Sequence, residues 1–322
     1  MKIYSGRSST ILSSLIFKEL KLIEDQLPYR FLTQENLDSL RIEKFSDGEI
    51  LPCFKESIRD EDIYFVNSTT SSESILETLL VVDAAKRAGC KSFTLIAPYQ
   101  GYSRQDKTDH LRSSIGSKML ADILEKTGVT RIITIDLHDS AIQGFYNIPV
   151  IHLNGNKVFI DYIKSLKLDD LCILSPDQGA FKRASNFFKA FPDATLAIIN
   201  KRRVKPNEVH SMELVGEVIG KNVIIVDDMV DTLGTLKKAA DLIMENGAKS
   251  TRAVATHGIL SGLAMDNLTN SKIQELIVSD TIESTIEKEK NSKLRVSSCS
   301  KLIANTIVAL SQKRSIHELN LV

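Results

Sequence analysis

Short runs rich in β-branched and other apolar residues recur along this chain, each separated from the next by a stretch of helical periodicity. The runs are 62–67, 92–97, 131–136, 171–175, 195–200, 222–227, 250–256 and 275–279, with amphipathic stretches such as 73–88, 116–126 and 236–246 between them. Gly89, Gly128 and Gly247 stand just past those helical stretches, where a chain leaving a helix turns left-handed. Such alternation predicts right-handed βαβ units, hence an α/β chain of mainly parallel sheets flanked by helices. At 322 residues and 43% hydrophobic, the chain has enough apolar material for about two domains. A boundary is expected at His152–Gly155, where one series ends and a helix over 156–166 opens another. The expected units are 1–152 and 153–302, with a C-terminal helix in 303–322 available to complete the first.

Lysine plus arginine and aspartate plus glutamate both number 41, so no overall field draws nucleic acid or an anionic membrane, and any anion site must be local. Serines and Glu19 interrupt the apolar stretch 11–17, which excludes a membrane span or export signal there and leaves a cytoplasmic protein as the expectation. Cys53, Cys90, Cys172 and Cys299 are scattered without ligand spacing and read as buried, reduced thiols. Asn67-Ser68-Thr69 and Asn267-Leu268-Thr269 match the glycosylation pattern but are taken as coincidence without export.

The most informative segment is 223–236. Four β-branched residues form a buried strand, and Asp227 and Asp228 stand at its C-terminal end, where open α/β sheets bind ligands. Asp231, Thr232, Leu233, Gly234 and Thr235 then bring hydroxyls and backbone N–H groups to the start of a helix, which suits a phosphate. The two acids would repel that phosphate, so their use is to hold ribose hydroxyls or hydrated Mg2+ beside it. Turn and acids together specify a phosphorylated sugar, against the plainer alternative of a strand-to-helix connection with a capping aspartate.

The run DDMVDTLGT at 227–235 resembles the signature shared by type I phosphoribosyltransferases and ribose-phosphate pyrophosphokinases. Further blocks are similar to the pyrophosphokinases specifically. Residues 98–107 look like the family's PYxGYxRQD block, which makes Arg104 and Gln105 ATP contacts, with Asp109 a further nucleotide-contacting acid. Residues 136–145 resemble the block whose histidine lies beside metal-ATP, here His138, and 175–179 resemble SPDxGG, which makes Asp177 a metal or sugar-site acid. The basic run 200–208 is similar to the family's flexible catalytic loop, so Lys201 and Arg203 would stabilise charge on the transferring diphosphoryl group. Phe45, Asp47 and Glu49 match residues that reach a neighbouring subunit's adenine, which implies a homo-oligomer. In full, the resemblance implies two similar domains of the type I phosphoribosyltransferase-like fold, Mg2+, and transfer of the β,γ-diphosphoryl group of ATP to O1 of ribose 5-phosphate. It also implies a regulatory anion site, here assigned to Ser57, Arg59, Ser140 and Gln143.

The chain departs from the family in several places. Ser114 replaces a proline, Ala180 a second glycine, Ala141 a glutamine, and Leu233 a position that is often small. Ala180 is expected to crowd the ligand through its β-carbon, and Leu233 to turn its side chain away from the phosphate. Two rival readings are a silent subunit that regulates an active partner and a transferase that consumes the sugar product.

Overall fold

The computed structural model describes residues 1–28, 30–33, 37–108, 110–205 and 208–316, with 201–205 and 208–211 described by backbone alone. The chain divides into two compact units. One holds Met1–Asn154, Thr281–Glu283 and the segment from Cys299 onward; the other holds Gly155–Asp280 and Ser284–Ser298.

In the first unit the order is β1 (Lys2–Ser5), α1 (Thr10–Glu24), β2 (Leu40–Lys44), β3 (Ile50–Phe54), β4 (Asp62–Val66), α2 (Ser72–Arg87), β5 (Ser92–Ala97), α3 (Gly116–Thr127), β6 (Arg131–Ile135), a 3-10 turn (Ser140–Phe145) and β7 (Val150–Leu153). Strands β1-β4-β5-β6-β7 form one parallel sheet, and β2 with β3 makes a separate antiparallel hairpin. Alternate residues face opposite sides of a strand. Accordingly Ile63, Phe65, Phe93, Leu95 and Ala97 join Val81, Val82, Leu120 and Leu124 in one core, while Tyr64, Val66 and Ile96 are buried outside it.

The second unit runs α4 (Asn156–Ser165), β8 (Leu171–Ser175), α5 (Phe181–Phe188), β9 (Thr195–Lys205), β10 (Glu208–Val215), β11 (Asn222–Val230), α6 (Gly234–Glu245), β12 (Ser250–Gly258), α7 (Ala264–Thr269), β13 (Glu275–Ser279), α8 (Ser284–Lys288) and β14 (Leu294–Ser297); helix α9 (Ser300–Ser311) returns to the first unit. The sheet order is β10-β9-β8-β11-β12-β13-β14, with only β10 antiparallel. Strand β11 is buried on both faces: Val223 and Ile225 pack with α6 residues Leu236, Ala239 and Ile243, and Ile224 and Val226 with Phe159, Ala184 and Phe187 of α4 and α5.

Two expectations change. The basic run 200–208, read as a loop, continues β9 as far as Lys205 and turns back as β10, with Arg203 opposite Val209 and Lys201 opposite Met212. Ladder pairing with β10 overrides the weak strand signal of consecutive basic residues. Cys53, read as buried, is exposed on β3, because that hairpin stands outside the five-stranded sheet. Among the described residues no helix is long and apolar enough to cross a membrane.

Candidate active site

In the second unit the chain order reverses between β8 and β11: β9 continues on one side of β8 and β12 on the other side of β11. Connections then diverge to opposite faces, and a crevice opens at the strands' C-terminal ends. Pairing of β11 with β8 stops at Ile225–Leu174, whereas pairing with β12 continues through Asp227–Ala255 to Val230–Gly258. Asp227 and Asp228 therefore project past the end of β8, and Asp177 follows that end two residues after Ser175.

Their electrostatics follow from this placement. Burial, then the charge of Asp228, a side-chain hydrogen bond with it and the charge of Asp177 push the Asp227 carboxyl well above the usual range. The Asp228 N–H, donated to Asp227 Oδ1 at 2.9 Å, opposes that shift without cancelling it. Asp177 is fixed in turn: its Oδ1 accepts the Ala180 N–H at 3.1 Å, and the Ser175 hydroxyl donates to its carbonyl at 2.6 Å. Ala180 is the N-cap of α5 with φ −80 and ψ −6, ordinary right-handed backbone, and it is buried. A glycine is therefore not required there by conformation.

From β11 the chain passes through Asp231 and Thr232 to Leu233, the N-cap of α6, at φ 65 and ψ −1. This left-handed backbone is costly for leucine. Its side chain, 3% exposed, is packed in the core with Leu236, Ala239 and Leu260, which offsets the cost. Thr232 and Thr235 are exposed, no side chain caps the helix, and a β-carbon on Gly234 would meet nothing nearer than Thr232 Oγ1 at 3.8 Å. The start of α6 thus keeps donor groups and open space, as an anion site needs.

The first unit carries a second group of residues. Arg104 and Gln105 lie exposed in a loop after β5, beside a cleft of 330 Å³ lined also by Thr69, Thr70, Ser71 and Ser72. Gly101 is indispensable here: a β-carbon would sit 2.1 Å from the Thr69 carbonyl oxygen. The loop is pinned by Gly101 N–H to Thr69 Oγ1 at 2.8 Å and by the Ser117 hydroxyl to the Tyr102 carbonyl at 2.7 Å. Ser71 caps α2 through a reciprocal pair with Ser74, so the positive end of a 16-residue helix faces the same cleft. Sequence reading missed residues 69–72, although a serine- and threonine-rich entry to an amphipathic helix was a visible cap signal.

His138 is exposed after β6, in a loop held by the Leu137 N–H donated to His152 Nε2 at 2.9 Å and by the Asp139 cap on Ala141 N at 2.8 Å. Phe45, 47% exposed, stands with Asp47 and Glu49 at the tip of the β2–β3 hairpin. There Gly48 takes φ 94, and the Glu49 N–H donates to Asp47 Oδ1 at 3.0 Å. Ser57 and Arg59 are exposed after β3; Ser140 and Gln143 belong to the 3-10 turn, where Gln143 Nε2 donates to the Ser140 carbonyl at 3.0 Å. Asp109 and residues 317–322 lie outside the described residues, as do the side chains of Lys201 and Arg203.

No set of three His, Cys, Asp or Glu side chains is gathered as a self-sufficient metal centre among the described residues. A hard dication suits the charge of Asp177, Asp227 and Asp228, but its coordination would have to be completed by water and substrate oxygens.

Comparison with known proteins agrees with this geometry. Residues 1–128 match a family model described as the N-terminal domain of ribose phosphate pyrophosphokinase, and residues 189–320 match one described as a phosphoribosyl synthetase-associated domain. The chain is 43% identical over 282 residues to a ribose-phosphate pyrophosphokinase of Porphyromonas gingivalis, covering 87% of this chain and 89% of that one. It is 40% identical to the Bacillus subtilis protein of the same name, covering 87% and 88%. Among solved structures, the phosphoribosylpyrophosphate synthetase from Mycobacterium smegmatis superposes with a TM-score of 0.86 at 34% identity, over 97% of this chain and 99% of that chain.

Proposed function

This chain belongs to the ribose-phosphate pyrophosphokinase family and is an enzyme of that activity; we propose that it carries the β,γ-diphosphoryl group of ATP to O1 of ribose 5-phosphate, releasing AMP, with the residues named below. The observation that carries this assignment is the acid pair Asp227–Asp228 at the switch point, leading directly into the left-handed turn at the start of α6. A doubly acidic strand end suits sugar hydroxyls, and the turn that follows suits the 5-phosphate.

In this reading the second unit, within residues 153–302, binds the sugar. Asp231, Thr232, Leu233, Gly234 and Thr235 offer backbone and hydroxyl donors to the phosphate, while Asp227 and Asp228 accept from the ribose hydroxyls. The first unit, within residues 1–152 and completed by the C-terminal helix, binds ATP through Arg104 and Gln105 with Asp109 as a weaker contact, and the end of α2 adds its positive field to the cleft they share. Phe45, Asp47 and Glu49 reach the adenine bound by a second copy, so the enzyme works as a homo-oligomer. Their exposure at a hairpin tip leaves them available to a second copy, which supports that assignment.

His138 and Asp177 would each hold Mg2+ with phosphate oxygens and water, and bound Mg2+ would neutralise charge on the transferring group. The chain's own residues then position and stabilise: the sugar turn fixes O1 for in-line attack at the β-phosphorus, and Lys201 and Arg203 on the β9–β10 arm take up charge developing on the phosphoryl oxygens. No dedicated general base is assigned. Ser57, Arg59, Ser140 and Gln143 form the proposed regulatory anion site. AMP release that depends on both ribose 5-phosphate and Mg2+ tests the assignment, and purified protein that yields no AMP with both present overturns it.

A further inference from the structure

The turn 231–235 is held from outside by side chains that would not touch the sugar. Asn267, half-buried on α7, donates Nδ2 to the Thr232 carbonyl at 2.9 Å, and the hydroxyl of the exposed Ser261 donates to Asp231 Oδ1. Both come from the segment after β12, which is itself anchored. The N–H groups of Ile259 and Leu260 donate to the Val230 carbonyl at 2.9 and 3.1 Å, and Lys288 Nζ donates to the Leu260 carbonyl at 2.9 Å. Leu260 has φ 51 and is buried, so two left-handed leucines, 233 and 260, belong to one core.

Peptide planarity gives the Asn267 bond a consequence for binding. The carbonyl of Thr232 and the N–H of Leu233 belong to one trans peptide and point in opposite directions. Fixing the carbonyl on α7 therefore aims the Leu233 N–H at the open side of the turn, where the phosphate would sit. Ser261 likewise holds the first residue of the turn in one rotamer. Without these two donors the costly left-handed state at Leu233 would compete with relaxed ones, and apparent affinity falls in proportion to the competent fraction.

We infer that Ser261 and Asn267 are positioning residues which hold the phosphate turn in its binding form before ribose 5-phosphate arrives. The inference rests on the sugar-phosphate assignment of that turn. It is tested with Asn267→Ala, Ser261→Ala and the double variant, measuring ribose 5-phosphate binding by calorimetry without ATP and steady-state AMP release. Asn267→Ala should weaken sugar-phosphate binding roughly fivefold, the worth of one neutral hydrogen bond, and Ser261→Ala, which removes a bond to a carboxylate, roughly tenfold or more. KM for ATP and kcat at saturating sugar should stay within about twofold. Ser261→Thr, which keeps the hydroxyl, should restore binding to near the wild-type level, as a merely space-filling role would not require. Should either single variant fail to fold, the other carries the test alone, since each removes one donor to the turn. Wild-type affinity in Asn267→Ala, or a fall in kcat with an unchanged KM for the sugar, overturns the inference. Failure of the wild-type protein itself to bind ribose 5-phosphate would instead remove the assignment beneath it.

Discussion

The backbone N–H of Asp228 donates to Asp227 Oδ1 at 2.9 Å, so the second acid of the pair helps the first while its own carboxylate opposes it. The opposition wins, because Asp227 is largely withdrawn from solvent, though not fully buried, and feels the charge of Asp177 as well. A strand end that repels its own charges is kept for what it binds. Asp227→Asn should therefore raise the unfolding temperature of the ligand-free protein by a few degrees, corresponding to ~1 kcal/mol. The same variant should lose roughly 10²-fold or more in AMP release. Calorimetry and the AMP assay check both halves, and a variant that is less stable and fully active would contradict them.

The raised carboxyl also fixes the sign of a pH dependence. Unfolded, Asp227 titrates near ~4, and folded it titrates higher. Relative to unfolding, its contribution is present in full below the unfolded value and is lost as pH rises through the folded one. The stability gap between Asp227→Asn and wild type should thus be smallest in acid and widen toward neutral pH. Added Mg2+ should narrow it again at neutral pH by offsetting the repulsion. Paired thermal melts across pH, with and without Mg2+, read this directly; a gap that shrinks as pH rises would refute the assignment of the shift.

Much of the fold that carries this candidate site is legible in the sequence. The runs 92–97, 171–175 and 275–279 coincide with β5, β8 and β13, because an apolar run bounded by turn residues carries its strand locally. What the sequence concealed depends on pairing at a distance. The arm at 201–205 is a strand only because β10 returns alongside it, and the switch point exists only once β8 and β11 are neighbours. The glycosylation pattern at Asn67, taken as coincidence, agrees with its burial: Asn67 is fully buried, its Nδ2 donating to Thr78 Oγ1 at 2.9 Å and to the Ser74 carbonyl at 3.1 Å. It supports the start of α2 and offers nothing to a glycosylating enzyme. Asn267, in the other such pattern, donates Nδ2 to the Thr232 carbonyl.

Phe45 and His138 allow a test of the proposal that the ATP site is shared between subunits. Phe45 is exposed on its hairpin, so Phe45→Ala should leave the unfolding temperature of a subunit nearly unchanged. Loss of aromatic stacking on adenine, worth ~1–3 kcal/mol by analogy with bases on aromatic platforms, should raise KM for ATP roughly tenfold or more. At ATP concentrations well below the raised KM, mixing Phe45→Ala subunits with His138→Ala subunits should give more activity than either alone, since some sites would then draw Phe45 from one copy and His138 from the other. Mixed assemblies that recover nothing would show that each chain builds its own adenine pocket.

Lys201 separates an active enzyme from a subunit that only attends one. Its backbone lies in β9 opposite Met212, on an arm continuous with the strand beside β8, so an ammonium there is carried by the sheet that presents Asp177 and Asp227. A cation that acts on developing phosphoryl charge contributes chiefly in the transition state. Lys201→Ala should then lower kcat by roughly 10²- to 10³-fold, while binding of ribose 5-phosphate, held by the separate turn at 231–235, changes little. Single-turnover AMP release alongside calorimetric sugar binding measures the two apart. Should the variant turn over as fast as the wild type, the residue would not act on the transferring group. Should both proteins be silent alone yet stimulate an active partner equally, the chain would be a regulatory subunit and the basic arm would have no catalytic part.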